Sequence, residues 1–298
     1  MTALLLFALL AAPAAGFPLQ KLRPLTWVVD YEPFWAPDGG SIVLISSRHG
    51  GMKVHLLSPK TASGSDMRQL TIGDDEDDSP AWSPDGKRIA FVRIHDGVSR
   101  IMLMNADGSE VRQLAGGESI HPTWSPDGAR ILFNTTLFVG ARKTKEPDRV
   151  IGELIDEKMD LATVRPDGSD LRRLTSGGGT TYASYSPDGA WIVHRRARGD
   201  SSKIFVMRAD GADDHDVSGV STLDGWPAWS SDGKRIVFSR RVAGRFQLFV
   251  MDRDGGNPRQ LTDAIGEYTN ARWSPDGSTI LCSRRLGDIN LVTFPAPG

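Results

Sequence analysis

The sequence predicts an all-β fold: a six-bladed β-propeller built from four-stranded antiparallel blades. Three observations predict it. An aromatic followed by a Ser-Pro-Asp-Gly turn, or a close variant, recurs six times, starting at Trp35, Trp82, Trp124, Tyr185, Trp229 and Trp273. These aromatics lie 47, 42, 61, 44 and 44 residues apart, a repeat period suited to stacked supersecondary units. Between them run short β-branched apolar segments punctuated by Asp-Gly turns, with no helical period.

Each element of the repeat has a local cause. The first strand, A, begins just before the aromatic. Pro fixes φ near the value a type I turn needs, Asp suits the next position, and Gly accepts positive φ, so a tight hairpin follows. Strand B is the apolar run after it, at residues 42–45, 89–92, 131–133, 236–238 and 280–282. Strand C comes next, at residues 101–104, 204–207 and 248–251, and ends in a second turn carrying Asp107, Asp167, Asp210 or Asp254. Strand D carries Arg-Gln-Leu-Thr or a variant, at residues 68–71, 112–114, 172–175 and 259–262.

The two ends of the chain complement each other. Residues 289–294 read as strand C of the sixth blade, with no strand D after them. Residues 21–26, Lys-Leu-Arg-Pro-Leu-Thr, resemble that missing strand, so the N-terminal strand is expected to join the last blade and leave no open edge. Residues 17–298 then form a single propeller. The third blade is longer than the rest, with an insertion at about 136–159, within which residues 148–159 are expected to form a short amphipathic helix.

Composition bounds the function. Of 298 residues, 39% are hydrophobic and 24% charged, enough for a core and too apolar for global disorder. A net charge of −2 provides no general attraction to nucleic acid or anionic membrane, so no nucleic-acid partner is expected. The one cysteine, Cys282, excludes an internal disulfide and a cysteine-based zinc cluster. Residues 1–16 are an apolar run followed by small residues, which reads as a signal peptide. They are too few to span a bilayer comfortably, so the expectation is a periplasmic or secreted protein without a membrane span.

The combined pattern Leu-Thr, then Pro-x-Trp-Ser-Pro-Asp-Gly-Lys-Arg-Ile-x-Phe, then Met-x-x-Asp-Gly, then Arg-Gln-Leu-Thr resembles the TolB-like propeller repeat. It is plainest at residues 70–114 and 227–262. The resemblance implies the propeller fold. It leaves the function open, because this repeat type occurs in periplasmic TolB, in prolyl-oligopeptidase-type peptidases and in some sugar lyases. TolB places a separate α/β domain ahead of its ring, and the peptidases an α/β-hydrolase domain after theirs; neither is expected here.

In such a ring the D–A and B–C loops share one face, and the blades differ most there. The D–A loops are acidic and aromatic and predict a funnel mouth built from Tyr31, Glu32, Asp77, Asp78, Glu118, His121, Tyr182, Trp226, Glu267, Tyr268 and Asn270. Eleven residues after the repeat aromatic, four of six blades carry Arg, predicting a basic outer rim of Arg93, Arg196, Arg240 and Arg284. A negative funnel ringed by positive charge suits a basic or amphoteric peptide, with aromatics as anchors. The run of five acids at 74–78 invites Ca²⁺, but its spacing does not match a calcium loop, so no metal and no cofactor are expected. The six His form no His-x-His or His-Glu-x-x-His motif, and Gly-x-Ser-x-Gly is absent, so no catalytic residue is assigned. The leading expectation is a monomeric, non-catalytic, exported scaffold that binds a protein or peptide partner. The alternative is an enzyme or carbohydrate-binding module in which His121, beside Glu118, works with Tyr182 and Trp226.

Overall fold

A computed structural model describes residues 20–24, 30–60, 66–138, 158–219, 223–262, 266–284 and 288–293. The signal peptide expected at 1–16 and the helix expected at 148–159 lie outside the described residues, apart from the last two positions of the latter. The chain enters with β1 (Gln20–Pro24). One four-stranded sheet follows from β2 (Asp30–Trp35), β3 (Ile42–Ser46), β4 (Lys53–Leu57) and β5 (Arg68–Gln69). The next comprises β6 (Glu76–Trp82), β7 (Arg88–His95), β8 (Val98–Asn105) and β9 (Arg112–Ala115), and the third β10 (Ser119–Trp124), β11 (Ile131–Thr135), β12 (Asp160–Val164) and β13 (Arg172–Arg173). Then come β14 (Thr180–Tyr185), β15 (Trp191–Arg198), β16 (Ser201–Arg208) and β17 (His215–Asp216). They are followed by β18 (Asp224–Trp229), β19 (Arg235–Val242), β20 (Arg245–Asp252) and β21 (Arg259–Gln260). The chain finishes with β22 (Tyr268–Trp273), β23 (Thr279–Arg284) and β24 (Asp288–Thr293), and β1 pairs antiparallel with β24 as the outermost strand of that sheet. The molecule is an all-β propeller of four-stranded antiparallel blades.

The turn motif carries more chemistry than its dihedral preferences. In Ser83-Pro84-Asp85-Gly86 the Ser83 hydroxyl donates to Asp85 Oδ1 at 2.6 Å and accepts the Arg88 N–H at 2.9 Å, while Asp85 Oδ1 accepts the Lys87 N–H at 3.1 Å. The same lattice recurs around Ser125, Ser186, Ser230 and Ser274. The threonine of the fourth strand is equally specific in what it does. The Thr71, Thr175 and Thr262 hydroxyls accept the N–H of Val54, Leu161 and Leu248 in strand C.

Blades are welded to one another by apolar side chains. The repeat tryptophans reach back to the preceding blade, Trp124 Nε1 donating to Ala81 O and Trp229 Nε1 to Ser184 O, both at 3.2 Å. Arg88 and Arg235 of a preceding blade cap the outer faces of Trp124 and Trp273 at 5.0 and 5.4 Å. The second turn also serves the seam. Gly255 has φ +88° and a Cβ there would stand 2.1 Å from the Val217 carbonyl oxygen of the neighbouring blade, so only glycine fits. Each innermost strand touches the next around the axis, and β22 touches β2. At that seam Trp35, Ile42, Leu44 and Leu57 share one apolar cluster with Leu281 and Ile289, and the Glu32 N–H donates to the Ser283 hydroxyl at 3.2 Å.

Candidate binding site at the channel mouth

Every innermost strand carries a bulge at the same place, three residues before the repeat aromatic. Glu32, Ser79, His121, Tyr182, Trp226 and Asn270 all adopt φ between 48° and 53°, and the strand register slips at each of them. Six non-glycine residues in the left-handed region each cost on the order of 1 kcal/mol or more, and such strain concentrates at ligand sites. Five of the six side chains line one small cavity of about 30 Å³ on the axis.

These residues form a continuous arc. Glu32 Oε1 lies 3.9 Å from His121 Nε2, a contact that spans past the small Ser79. The His121 ring packs on Tyr182 with centroids 4.1 Å apart, Tyr182 meets Trp226 at 5.3 Å, and Trp226 takes the edge of Phe246 at 5.0 Å. The Arg195 guanidinium stands 5.9 Å over Tyr182. On the acidic side, burial and then the Glu32 carboxylate raise the Asp78 pKa well above the usual carboxylate range, and the Asp78 carboxyl hydrogen-bonds Glu32. The Tyr31 phenol is pushed up too, by burial first and then by Asp78, Glu32 and Glu76. Beneath them Arg272 has its pKa lowered by burial, an effect opposed by Glu32.

Asp78 therefore stabilises the fold only while protonated: its contribution is present below the ordinary carboxylate pKa and is lost as pH rises through its higher folded value. Asp78→Asn is expected to raise the melting temperature at pH 8 by about 3 °C, with a smaller gain at pH 4. Calorimetric melts at the two pH values check this, and a loss of stability at pH 8 would contradict it.

The structure brings together Tyr31, Glu32, Asp78, His121, Tyr182, Trp226 and Asn270, and sends other expected residues elsewhere. Asp77 is fully buried and held by Arg93, Nε to Oδ1 at 2.8 Å and Nη2 to Oδ2 at 3.2 Å. Adjacent strand residues face opposite ways, so Asp78 reaches Glu32 while Asp77 turns to Arg93. Glu118 is not the partner of His121; its carboxylate accepts the Thr136 hydroxyl at 3.4 Å and its carbonyl the Thr136 N–H at 3.0 Å. Tyr268 is 3% exposed and packs in the core of its blade, and Glu267 beside it is half-buried.

Three of the four arginines expected at the basic rim are engaged in ion pairs within their own blades. Arg93 and Arg240 register opposite Asp77 and Asp224 and pair with them inside their own blades, Arg240 Nη2 lying 2.9 Å from Asp224 Oδ2. Arg196 registers opposite Thr180 and instead pairs with Asp214, which precedes β17 of the same blade. Arg284 registers opposite Tyr268, where three other blades have an acid (Asp30, Asp77 and Asp224), and among the described residues its buried Nε has no hydrogen-bond partner. The acid run at 74–78 is divided as well: Asp75 bonds His95 at 2.6 Å, Asp77 bonds Arg93 and Asp78 bonds Glu32. Among the described residues no cluster of three or more His, Cys, Asp or Glu is placed to hold a metal.

Sequence reasoning missed Ser79, Phe246, Phe34 and Arg272. For two of them a signal existed. The position just before the repeat aromatic reads Phe34, Ala81, Thr123, Ser184, Ala228 and Arg272, so a large cation and a large ring stand among small residues. Arg272 lies over Phe34 at 5.8 Å.

The fold and its axial, bulge-lined mouth define the class of protein as a β-propeller with a candidate binding site on its loop face. Residues 18–142 match the family described as TolB beta propeller domain. No curated protein matches it in sequence. Among solved structures it is similar to the putative TolB from Agrobacterium tumefaciens, at 24% identity over 91% of each chain with a TM-score of 0.68. It is also similar to TolB from Acinetobacter baumannii, at 18% identity over 90% of this chain and 64% of that one, TM-score 0.64. A gluconolactonase from Xanthomonas campestris aligns at 18% identity over 97% and 93% of the two chains, TM-score 0.68. At these identities the structural likenesses establish fold.

Proposed function

We propose that this chain is an exported, non-catalytic propeller that binds a protein or peptide partner at the loop-face mouth of a closed six-bladed ring. The observation that carries the reading is the arc from Asp78 through Glu32, His121, Tyr182 and Trp226 to Phe246. Carboxylates at one end and a run of stacked rings at the other suit a basic or amphoteric segment, whose cation meets the acids while an apolar neighbour lies on the rings. Export rests on the apolar character of residues 1–16, and ring closure on the β1–β24 pairing with the apolar cluster between first and last blades. Among the described residues no helix is long and apolar enough to cross a membrane.

Panning a random peptide library on the purified chain tests the proposal. Peptides carrying Lys or Arg next to an aromatic or aliphatic residue are expected to enrich. Glu32→Lys and Trp226→Ala should each weaken their binding at least roughly tenfold, with melting little changed. Failure to enrich any peptide, or binding indifferent to both substitutions, would remove the site from consideration. A second reading, a carbohydrate-binding module or enzyme, draws on the close His121–Glu32 contact beside the Tyr182 ring. Thermal stabilisation by oligosaccharides with no peptide enriched would favour it.

A further inference from the structure

The opposite mouth of the channel holds a second and larger cavity, of about 280 Å³, among the Ser-Pro-Asp-Gly turns. Its walls are the six repeat aromatics, Trp35, Trp82, Trp124, Tyr185, Trp229 and Trp273, with prolines of the turns around them. Phe34, Thr123 and Arg272 line this cavity and the loop-face cavity alike, so they form the wall between the two. Among the described residues, Arg272 is the only charged one that lines the turn-face cavity.

We infer that this cavity is a binding site for a small organic carboxylate with an aromatic or branched apolar body. The Arg272 guanidinium spends one donor on its neighbour, Nη1 to the Ala271 carbonyl at 3.0 Å, and lies over the Phe34 ring. The acid whose charge it feels, Glu32, lines the other cavity and not this one. A guanidinium stays protonated inside a protein, so the aromatic chamber has a cation at its floor and no anion among the described residues of its lining. A carboxylate accepts two parallel N–H bonds from such a fork, and a ring or branched chain behind it packs on the indoles.

The entrance does not reverse this preference. Asp85, Asp127, Asp188, Asp232 and Asp276 ring the turns, but each accepts bonds from a serine hydroxyl and a backbone N–H and none lines the cavity. Arg88, Arg235 and Arg253 stand over the same tryptophans, so the rim carries both signs and the floor decides. The volume lies just below the usual range of ligand-sized cavities, roughly 300–1,000 Å³, which suits a single-ring acid better than an oligomer. Ser184 adds a wall hydroxyl with no hydrogen-bond partner among the described residues.

Calorimetric titration of the full chain with phenylacetate, indole-3-acetate and 4-methylvalerate, each against its neutral amide, tests the inference. At least one acid is expected to bind one per chain and to quench tryptophan fluorescence, with its amide roughly tenfold or more weaker. Arg272→Gln should abolish the preference for acid over amide. Trp226→Ala, at the other mouth, should leave acid binding unchanged, which separates this site from the proposed peptide site. Equal binding of acid and amide by the unmodified chain would overturn the inference. So would absence of binding by all three acids at about 10 mM, or a preference that survives Arg272→Gln.

Discussion

Deleting residues 20–24 is expected to lower the melting temperature by roughly 10 °C and to convert a well-behaved protein into an aggregating one. The strand β1 lies on β24 in register Gln20↔Thr293, Arg23↔Leu291 and Pro24↔Asn290, and no other described strand pairs with that edge of the sheet. Its loss bares a row of backbone N–H and C=O groups and sacrifices several hydrogen bonds, each worth about 1 kcal/mol net. The damage extends to the seam, because Ile289 of β24 is buried with Trp35 and Leu44 of the first sheet. Scanning calorimetry and sedimentation measure both effects. Moving the deleted segment to follow residue 293 through a short turn should restore the melting temperature, since antiparallel neighbours can be joined by a hairpin. A truncated chain that melts and sediments unchanged would show that β1 is dispensable.

Arg93→Met is expected to cost about 3–5 kcal/mol, again roughly 10 °C in melting temperature. The Asp77 carboxylate it abandons is wholly shielded from solvent, and Arg93 supplies a hydrogen bond to each of its oxygens. Coulomb attraction in such a setting mostly repays desolvation, so the pair adds little while complete and one partner alone is expensive. The double change Asp77→Leu with Arg93→Met should therefore recover most of the loss. Urea unfolding of the wild type, both single variants and the double variant gives the coupling directly. A loss below about 1 kcal/mol for Arg93→Met would mean that water or another donor replaces the guanidinium.

Much of the fold was legible because each repeat states its own local chemistry. Trp82 to Gly86 specify a turn whatever surrounds them, and the apolar run from Ile89 to Val92 specifies a buried strand beside it. The candidate site was legible by position and not by partnership. Glu32, His121, Tyr182, Trp226 and Asn270 stand at one fixed offset from the repeat aromatic, and that offset is where the strand bulges. What spacing does not convey is which of two adjacent acids faces the axis, so Asp77 read like Asp78. Nor does it convey contacts across the ring: His121 meets Glu32 of a different blade, far away in sequence, and not Glu118 nearby. The arginine rim misled for a related reason. A cation on the strand opposite an acid, as with Asp77 and Arg93 or Asp224 and Arg240, is a cross-strand pair closing on itself, and the pair removes both charges from the surface.

Phe34, Thr123 and Arg272 line both the loop-face cavity and the turn-face cavity, so one set of three side chains serves both ends of the axis. What the two cavities share is the single positive charge of Arg272, which has the Glu32 carboxylate beside it in the loop-face lining and no acid among the described residues of the turn-face lining.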